Sequence, residues 1–170
     1  MSNLILDEKD QNFVLFEMLE MDKLLGLEKY SDFSADTLKI ILSKAQKFAI
    51  DEIFPTLAEG DKEGCRLEKG NVRVPKCFHR PYKLFSKSGW NCMTLSRNYG
   101  GQGLPLIMRM AAHEWFMHNF AFCSYPVLVE GAVHLIRALG SKQQKRQISS
   151  QDVSRPMRSK YMSCRVRGRV

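Results

Sequence analysis

"SADTLKIILSKAQKFAIDEIFP", residues 34–55, carries the clearest helical signal in the chain. Leu38, Ile41, Leu42, Ala45, Phe48, Ala49 and Ile53 recur at spacings of three and four, which puts them on one face of an α-helix. Ser34 or Asp36 is placed to cap its N-terminus. Pro55 lacks an N–H to donate and is expected to kink or end the helix.

The pattern extends outward on both sides. In "NFVLFEMLEMDKLLGL" apolar residues at 14, 15, 18, 21, 24 and 25 predict an earlier helix, with "KYSDFSADTL" as the break. "AEGDKEGC", residues 58–65, reads as a charged turn. "PKCFHRPYKLFSKSGW" opens on Pro75, tolerated in a first turn, and places Phe78, Tyr82 and Phe85 on one face. "NYGGQGLP", residues 98–105, is a loop. Pro105 then opens a long helix with Met110, Glu114, Met117 and Ala121 along one side. "CSYPVLVEGAVHLIRALG" predicts another, ended at Gly140 in the usual C-terminal manner. Ser141 and Gln144 form a capping box for a helix that starts "KQQKRQ" and does not continue. No alternating strand stands out. The expected fold is all-α, an orthogonal helical domain of five or six helices, with a disordered basic C-terminal tail.

The net charge of +8 suggests a nucleic-acid partner until its distribution is read. Residues 1–141 hold 17 basic and 17 acidic side chains, and residues 142–170 hold 9 basic and one acidic. Any case for nucleic acid therefore rests on the tail alone, and such a partner is disfavoured. Five scattered cysteines without a C-x-x-C pair argue against a zinc site and a disulfide framework. The acidic start "MSNLILDEKD" is unlike a signal peptide, and no apolar run approaches the roughly 18 residues that span a bilayer. The expectation is a cytoplasmic protein without a membrane partner.

Candidate sites are few. "YGGQG" lacks the Lys-Ser/Thr of a phosphate loop, and Leu106 stands where a G-x-G-x-x-G motif needs its third glycine. A tight loop between helices is the default reading. His113 and His118 in "HEWFMH" are five apart, not four, and diverge around a helix. Glu114 sits in an apolar helix as a possible buried acid, although a paired or snorkelling glutamate is the default, and His79 and His134 have no evident partner. No catalytic, metal-binding or cofactor-binding set can be assembled.

"KSGWNCMTLSRNYGGQGLP", followed by "YPVLVEGAVHLIRALGSKQQKR", resembles the N-terminal α-helical domain of the acyl-CoA dehydrogenase family, where a GW…PEEYGGQGLP segment precedes a helix and GS-x-x-Q-K. The N-terminal segment 1–35 and the stretch up to "NVRVP" are similar to the extended N-terminus of the 3-methylmercaptopropionyl-CoA dehydrogenase subgroup. "LSRNYGG" departs from the Pro-Glu-Glu usual before Tyr-Gly-Gly. The resemblance covers residues 1–147. It implies a homo-oligomeric flavoprotein with FAD held by further domains, an acyl-CoA substrate, and a base from the C-terminal half. Gly100, Gly101, Gln102 and Gly103 match the family's loop, and Tyr125, Val127 and Leu128 match its acyl-pocket stretch; plain core packing is the competing reading of those apolar residues. The chain lacks the flavin-binding "TEP-x-AGSD" type of segment and the base, so the resemblance implies a truncated, inactive fragment that alone binds no FAD.

After Gln147 the family continues Tyr-Leu-Pro-Lys-Met or Leu, whereas this chain has "ISSQDVSRPM". Permitted codons for Ile148 to Pro156 can be written ATA TCT TCC CAA GAT GTT TCG AGG CCA. Read one nucleotide later they give Tyr-Leu-Pro-Lys-Met-Phe-Arg-Gly. Residues 148–170 therefore read as a frameshifted translation. The competing expectation is a non-enzymatic binding module whose basic tail meets nucleic acid or an acidic partner.

Overall fold

The computed structural model describes residues 5–145; the tail expected at 148–170 lies outside them. Seven α-helices occur among the described residues: α1 Glu8–Asn12, α2 Met21–Leu25, α3 Ala35–Phe48, α4 Leu57–Glu63, α5 His79–Lys87, α6 Leu106–Phe116 and α7 Phe120–Leu139. The all-α expectation stands.

The stripe in 34–55 packs as its spacing predicts. Leu38, Leu42, Ala45, Ala49 and Ile53 are buried, and Ile41 and Phe48 pack against them half-buried. Ser34 is the cap, its side chain accepting from Thr37 N at 3.2 Å; Asp36 is inside the first turn. Pro55 kinks the chain without ending it. A wider π-turn, Ala49–Ile53, and a 3₁₀ turn, Phe54–Thr56, lead directly into α4. In a regular helix the Pro55 ring would meet the carbonyl four residues back, and the widened turn avoids this.

Aromatic side chains fill the centre. Phe85 and Phe116 meet edge to face with centroids 5.2 Å apart, and Phe48, Trp90 and Phe122 close around them at 5.3–6.1 Å from one or the other. Such pairs add about 0.5–1.5 kcal/mol each beyond burial. Two buried amides tie distant elements. Gln11 on α1 donates to the Ala111 carbonyl at 2.9 Å and accepts from Trp115 Nε1 at 2.8 Å on α6. Asn119 accepts from Phe122 N at 3.1 Å and donates to Thr56 Oγ1 at 3.1 Å.

Five expectations need correction. The helix predicted over 12–27 is broken at Glu20, which adopts φ 47° before α2, and Val14 and Met18 are exposed. The "charged turn" at 58–65 is mostly α4: Gly60 is buried under the Phe78 ring, a close packing that makes the glycine useful inside a helix. A short antiparallel hairpin exists, β1 Arg66–Glu68 with β2 Asn71–Arg73, in register Leu67↔Val72. Its turn is Lys69-Gly70, both at positive φ as tight hairpin turns require. The helix from Pro105 stops at Phe116, so Ala121 belongs to α7, which Asn119 caps. Gly140 ends α7 in an extended conformation, φ −68° and ψ 154°, not a left-handed one. The Ser141–Gln144 capping box is present in both directions, at 2.8 and 3.3 Å.

One further correction concerns membranes. α7 has 20 residues and a window of mean hydropathy 1.2, long and apolar enough to cross a bilayer by length and composition. Here it is part of the helical body: Phe122, Cys123, Pro126 and Val133 are buried, and its glutamate is paired inside the fold.

Candidate functional site

The loop at 100–103 is organised by its own backbone. Gly100 N donates to Arg97 O at 3.0 Å, Gly101 N to Ser96 O at 3.2 Å and Gln102 N to Cys92 O at 3.1 Å. Gly103 N donates to Leu95 O at 2.9 Å, and Leu104 N to Met93 O at 2.9 Å. The Gln102 side chain donates to Gly89 O at 2.9 Å. A Cβ at Gly101 would lie 2.0 Å from the Leu95 carbonyl oxygen, so only glycine fits. Five consecutive amides already have acceptors, so the loop offers no row of free N–H groups to a diphosphate.

Behind the loop lies a buried acid that the sequence pattern did not single out. Glu130 of α7 is 1% exposed. Its Oε2 is 2.8 Å from Arg109 Nε of α6, an ion pair whose N–H is not aligned as a hydrogen bond. Thr94 Oγ1 donates to Glu130 Oε1 at 3.2 Å and lies 2.9 Å from His134 Nε2. A hydroxyl has one proton, so while Thr94 donates to Glu130 it accepts from His134 Nε2–H. Burial pushes the Glu130 carboxyl up, against the pull of Arg109, His134 and Thr94, which favour the charged form. The sequence signal was available in one respect: Glu130 is the sole acid in a 20-residue apolar helix.

The other candidate polar groups fall elsewhere. Glu114 is exposed and accepts from Gln11 Nε2 at 2.9 Å, so it is a paired glutamate and not a buried acid. His113 is buried, and burial together with the neighbouring Arg109 charge lowers its pKa to about 4. His118 Nδ1 lies 2.6 Å from Trp115 O. No group of three potential metal ligands occurs among the described residues.

Two cavities flank α6. One, of about 650 Å³, is bordered by Gly103, Arg97, Thr94, Arg109, Gly131 and His134 among others. The second, of about 630 Å³, is mainly apolar and runs along Val14, Leu15, Ile107, Met110, Met117 and Val127. Of the residues matched to the acyl pocket, the two that border these cavities fall on different ones. Gly103 borders the first cavity and Val127 the second, while Tyr125 and Leu128 border neither. Tyr125 is half-buried with its hydroxyl 3.0 Å from Cys65 Sγ; burial, aided by that thiol, pushes the phenol up to about 12. Leu128 is exposed.

A sequence model described as "Acyl-CoA dehydrogenase, N-terminal domain" matches residues 35–151, more than half of the chain. The chain belongs to the acyl-CoA dehydrogenase family. The match starts at the first residue of α3 and runs four residues past Gln147, where the sequence departs from the expected continuation. The chain is 30% identical over 140 residues to 3-methylmercaptopropionyl-CoA dehydrogenase of Ruegeria pomeroyi, which covers 81% of this chain and 24% of that protein. It is 28% identical over 141 residues to the broad-specificity linear acyl-CoA dehydrogenase FadE5 of Mycobacterium tuberculosis, covering 81% and 23%. Butyryl-CoA dehydrogenase of Syntrophomonas wolfei is 27% identical over 109 residues, covering 62% and 18%. The chain thus spans about a quarter or less of the length of these curated relatives. The glycine loop at 100–103 of this chain is a packing joint against the 92–97 turn.

Proposed function

We propose that this chain forms the N-terminal wall of the acyl-chain pocket of an FAD-dependent acyl-CoA dehydrogenase, and that alone it is inactive. The observation that carries this reading is the face of α7 beyond the core. Leu128, Leu135 and Leu139 share one helical stripe and are exposed, at 61, 60 and 80%. Leu106 and Met110 of α6 are similarly bare. An acyl chain needs an apolar slot more than charged groups, and an exposed apolar stripe of this kind suits either that chain or a neighbouring domain.

The glycine loop does not offer a flavin diphosphate the free backbone donors it calls for, because its amides are engaged internally. The reading therefore assigns the flavin to other parts of the family's architecture and gives these residues shape and apolar contact. An acyl-CoA substrate and a homo-oligomer follow from the reading. On the codon argument given above, we also read residues 148–170 as out-of-frame sequence.

Two measurements test it. The purified chain is assayed for bound flavin by absorbance and for acyl-CoA oxidation with an artificial electron acceptor. Stoichiometric FAD with turnover would overturn the inactive-alone reading. In a full-length protein with the family's reading frame, Leu128→Trp should raise KM for long acyl chains more than for short ones. An unchanged chain-length profile would remove Leu128 from the pocket.

A further inference from the structure

The cavity of about 650 Å³ has an unusual charge. Lys29, Arg97 and Arg109 border it with His134, and among the described residues Asp32 is its only bordering carboxylate. Asp32 and Arg97 pair at the rim, both more than half exposed, so their attraction is weakened by water. Arg109 is 17% exposed, and its one acidic partner, Glu130, stands behind the wall. Ser96 adds a hydroxyl able to donate; the single Thr94 proton is already given to Glu130.

The cations are held, not loose. The Arg97 guanidinium lies over the Phe33 ring at 5.3 Å, and Lys29 Nζ lies over the Tyr30 ring at 5.1 Å. Both rings also border the cavity. Arg97 stands in the stretch "LSRN", where the Pro-Glu-Glu pattern of the resemblance would place acids.

We propose that this cavity is a binding site for a small organic oxyanion, a phosphate ester or a carboxylate, held by Arg97 and Lys29 at the rim and Arg109 in the wall. Volume and lining suit a ligand of that kind: cavities of 300–1,000 Å³ with a few convergent polar groups are the usual size for small molecules. Low-dielectric walls around like charges also concentrate anions. The site adjoins the apolar stripe of α7, because Gly131 lies between Leu128 and Leu135 on that helix, but its test does not depend on the flavoprotein reading.

The test is calorimetric titration of the full 170-residue chain at constant ionic strength, with inorganic phosphate in one arm and glutarate in the other. Chloride serves as the non-specific control. Saturable binding of phosphate alone, glutarate alone or both, above the chloride background, is expected and identifies the source of the oxyanion. Arg97→Gln and Lys29→Gln should each weaken binding about three- to tenfold, the loss expected for one charged contact at an exposed rim, where water weakens it. Arg80→Gln, which removes a surface arginine paired with Glu52, should leave it unchanged. Circular dichroism verifies that each variant is folded, and if Arg97→Gln does not fold, Lys29→Gln carries the comparison. No saturable binding of either anion, or equal binding in all three variants, overturns the proposal.

Discussion

Replacing Arg109 by methionine isolates the energetic role of the buried acid. The substitution keeps an unbranched side chain of similar length but removes the charge 2.8 Å from Glu130 Oε2. Glu130 is 1% exposed and Arg109 17%, so water screens the pair little. Removing one partner of such a pair costs about 3–5 kcal/mol, because the other charge is left buried and uncompensated. Arg109 is one of the groups holding the Glu130 carboxyl down, so without it the carboxyl rises further. The sign of the pH dependence follows. A carboxyl whose folded-state pKa is raised contributes stability that is fully present below its unfolded value and lost as pH rises through the folded value. The destabilisation by Arg109→Met should therefore be largest near pH 7.5 and shrink toward pH 5. Adding Glu130→Gln should recover much of the loss at pH 7.5, since no charge then remains to be buried. Urea midpoints followed by the fluorescence of Trp90 and Trp115 measure all four corners of this cycle. A loss under about 1 kcal/mol, the value for a surface pair, would refute the reasoning. So would an equal loss at both pH values, or a double variant no more stable than the single one.

Other outcomes follow from single sites. His113, with its pKa lowered to about 4 by burial and by Arg109, binds its proton more readily when unfolded, so it should subtract stability as pH falls from about 6.5 to 4, by up to about 3 kcal/mol; His113→Phe should flatten that limb of the urea-midpoint profile. Gly101→Ala would put a methyl group onto the Leu95 carbonyl and should cost about 1–3 kcal/mol by thermal melting, whereas alanine at exposed Ser141 should cost about 1 kcal/mol or less. Phe85→Ala opens the centre of the aromatic cluster and should cost about 3–5 kcal/mol, enough to leave the chain largely unfolded at 37 °C if its total stability is at the low end for domains. At the gene, the DNA around codons 146–148 should show a one-nucleotide displacement from a frame that continues Tyr-Leu-Pro-Lys-Met; an adjacent frame that closes within a few codons would remove the frameshift reading, and salt-dependent DNA or RNA binding lost on deleting residues 148–170 would favour the basic tail as a functional arm.

The core was legible because its signal is periodic. Leu38 to Ile53 and the Phe78–Tyr82–Phe85 face needed only helical spacing, and the Ser141–Gln144 box only side-chain chemistry. What periodicity cannot report is where a helix changes pitch or stops. The chain passes from α3 through a π-turn and Pro55 to α4 without losing its direction of burial. Glu20 breaks an uninterrupted apolar pattern through a local left-handed conformation. The hairpin around Lys69-Gly70 was missed for a related reason: its strands are three residues long and wholly exposed, so no buried alternation exists to detect.

The site was harder to read because its decisive relations cross the chain. Glu130, Arg109, Thr94 and His134 lie on α7, α6 and the turn before the glycine loop, and no local spacing brings them together. Glu114, by contrast, looked conspicuous in the sequence because its neighbours are apolar, yet a shift of one residue around α6 separates it from buried His113 and Trp115 and leaves it exposed. The glycine loop shows the same limit from the other side. Its composition suggested a ligand cradle, but the property the glycines supply is close approach: Gly101 lets the loop lie against Leu95 and pair its amides with residues 92–97. That pairing fixes Thr94 and Arg97 on the short segment between those carbonyls. Loop and buried acid therefore act together, because the backbone ladder that removes the loop from phosphate binding is what presents a hydroxyl to Glu130 and a guanidinium to the neighbouring cavity.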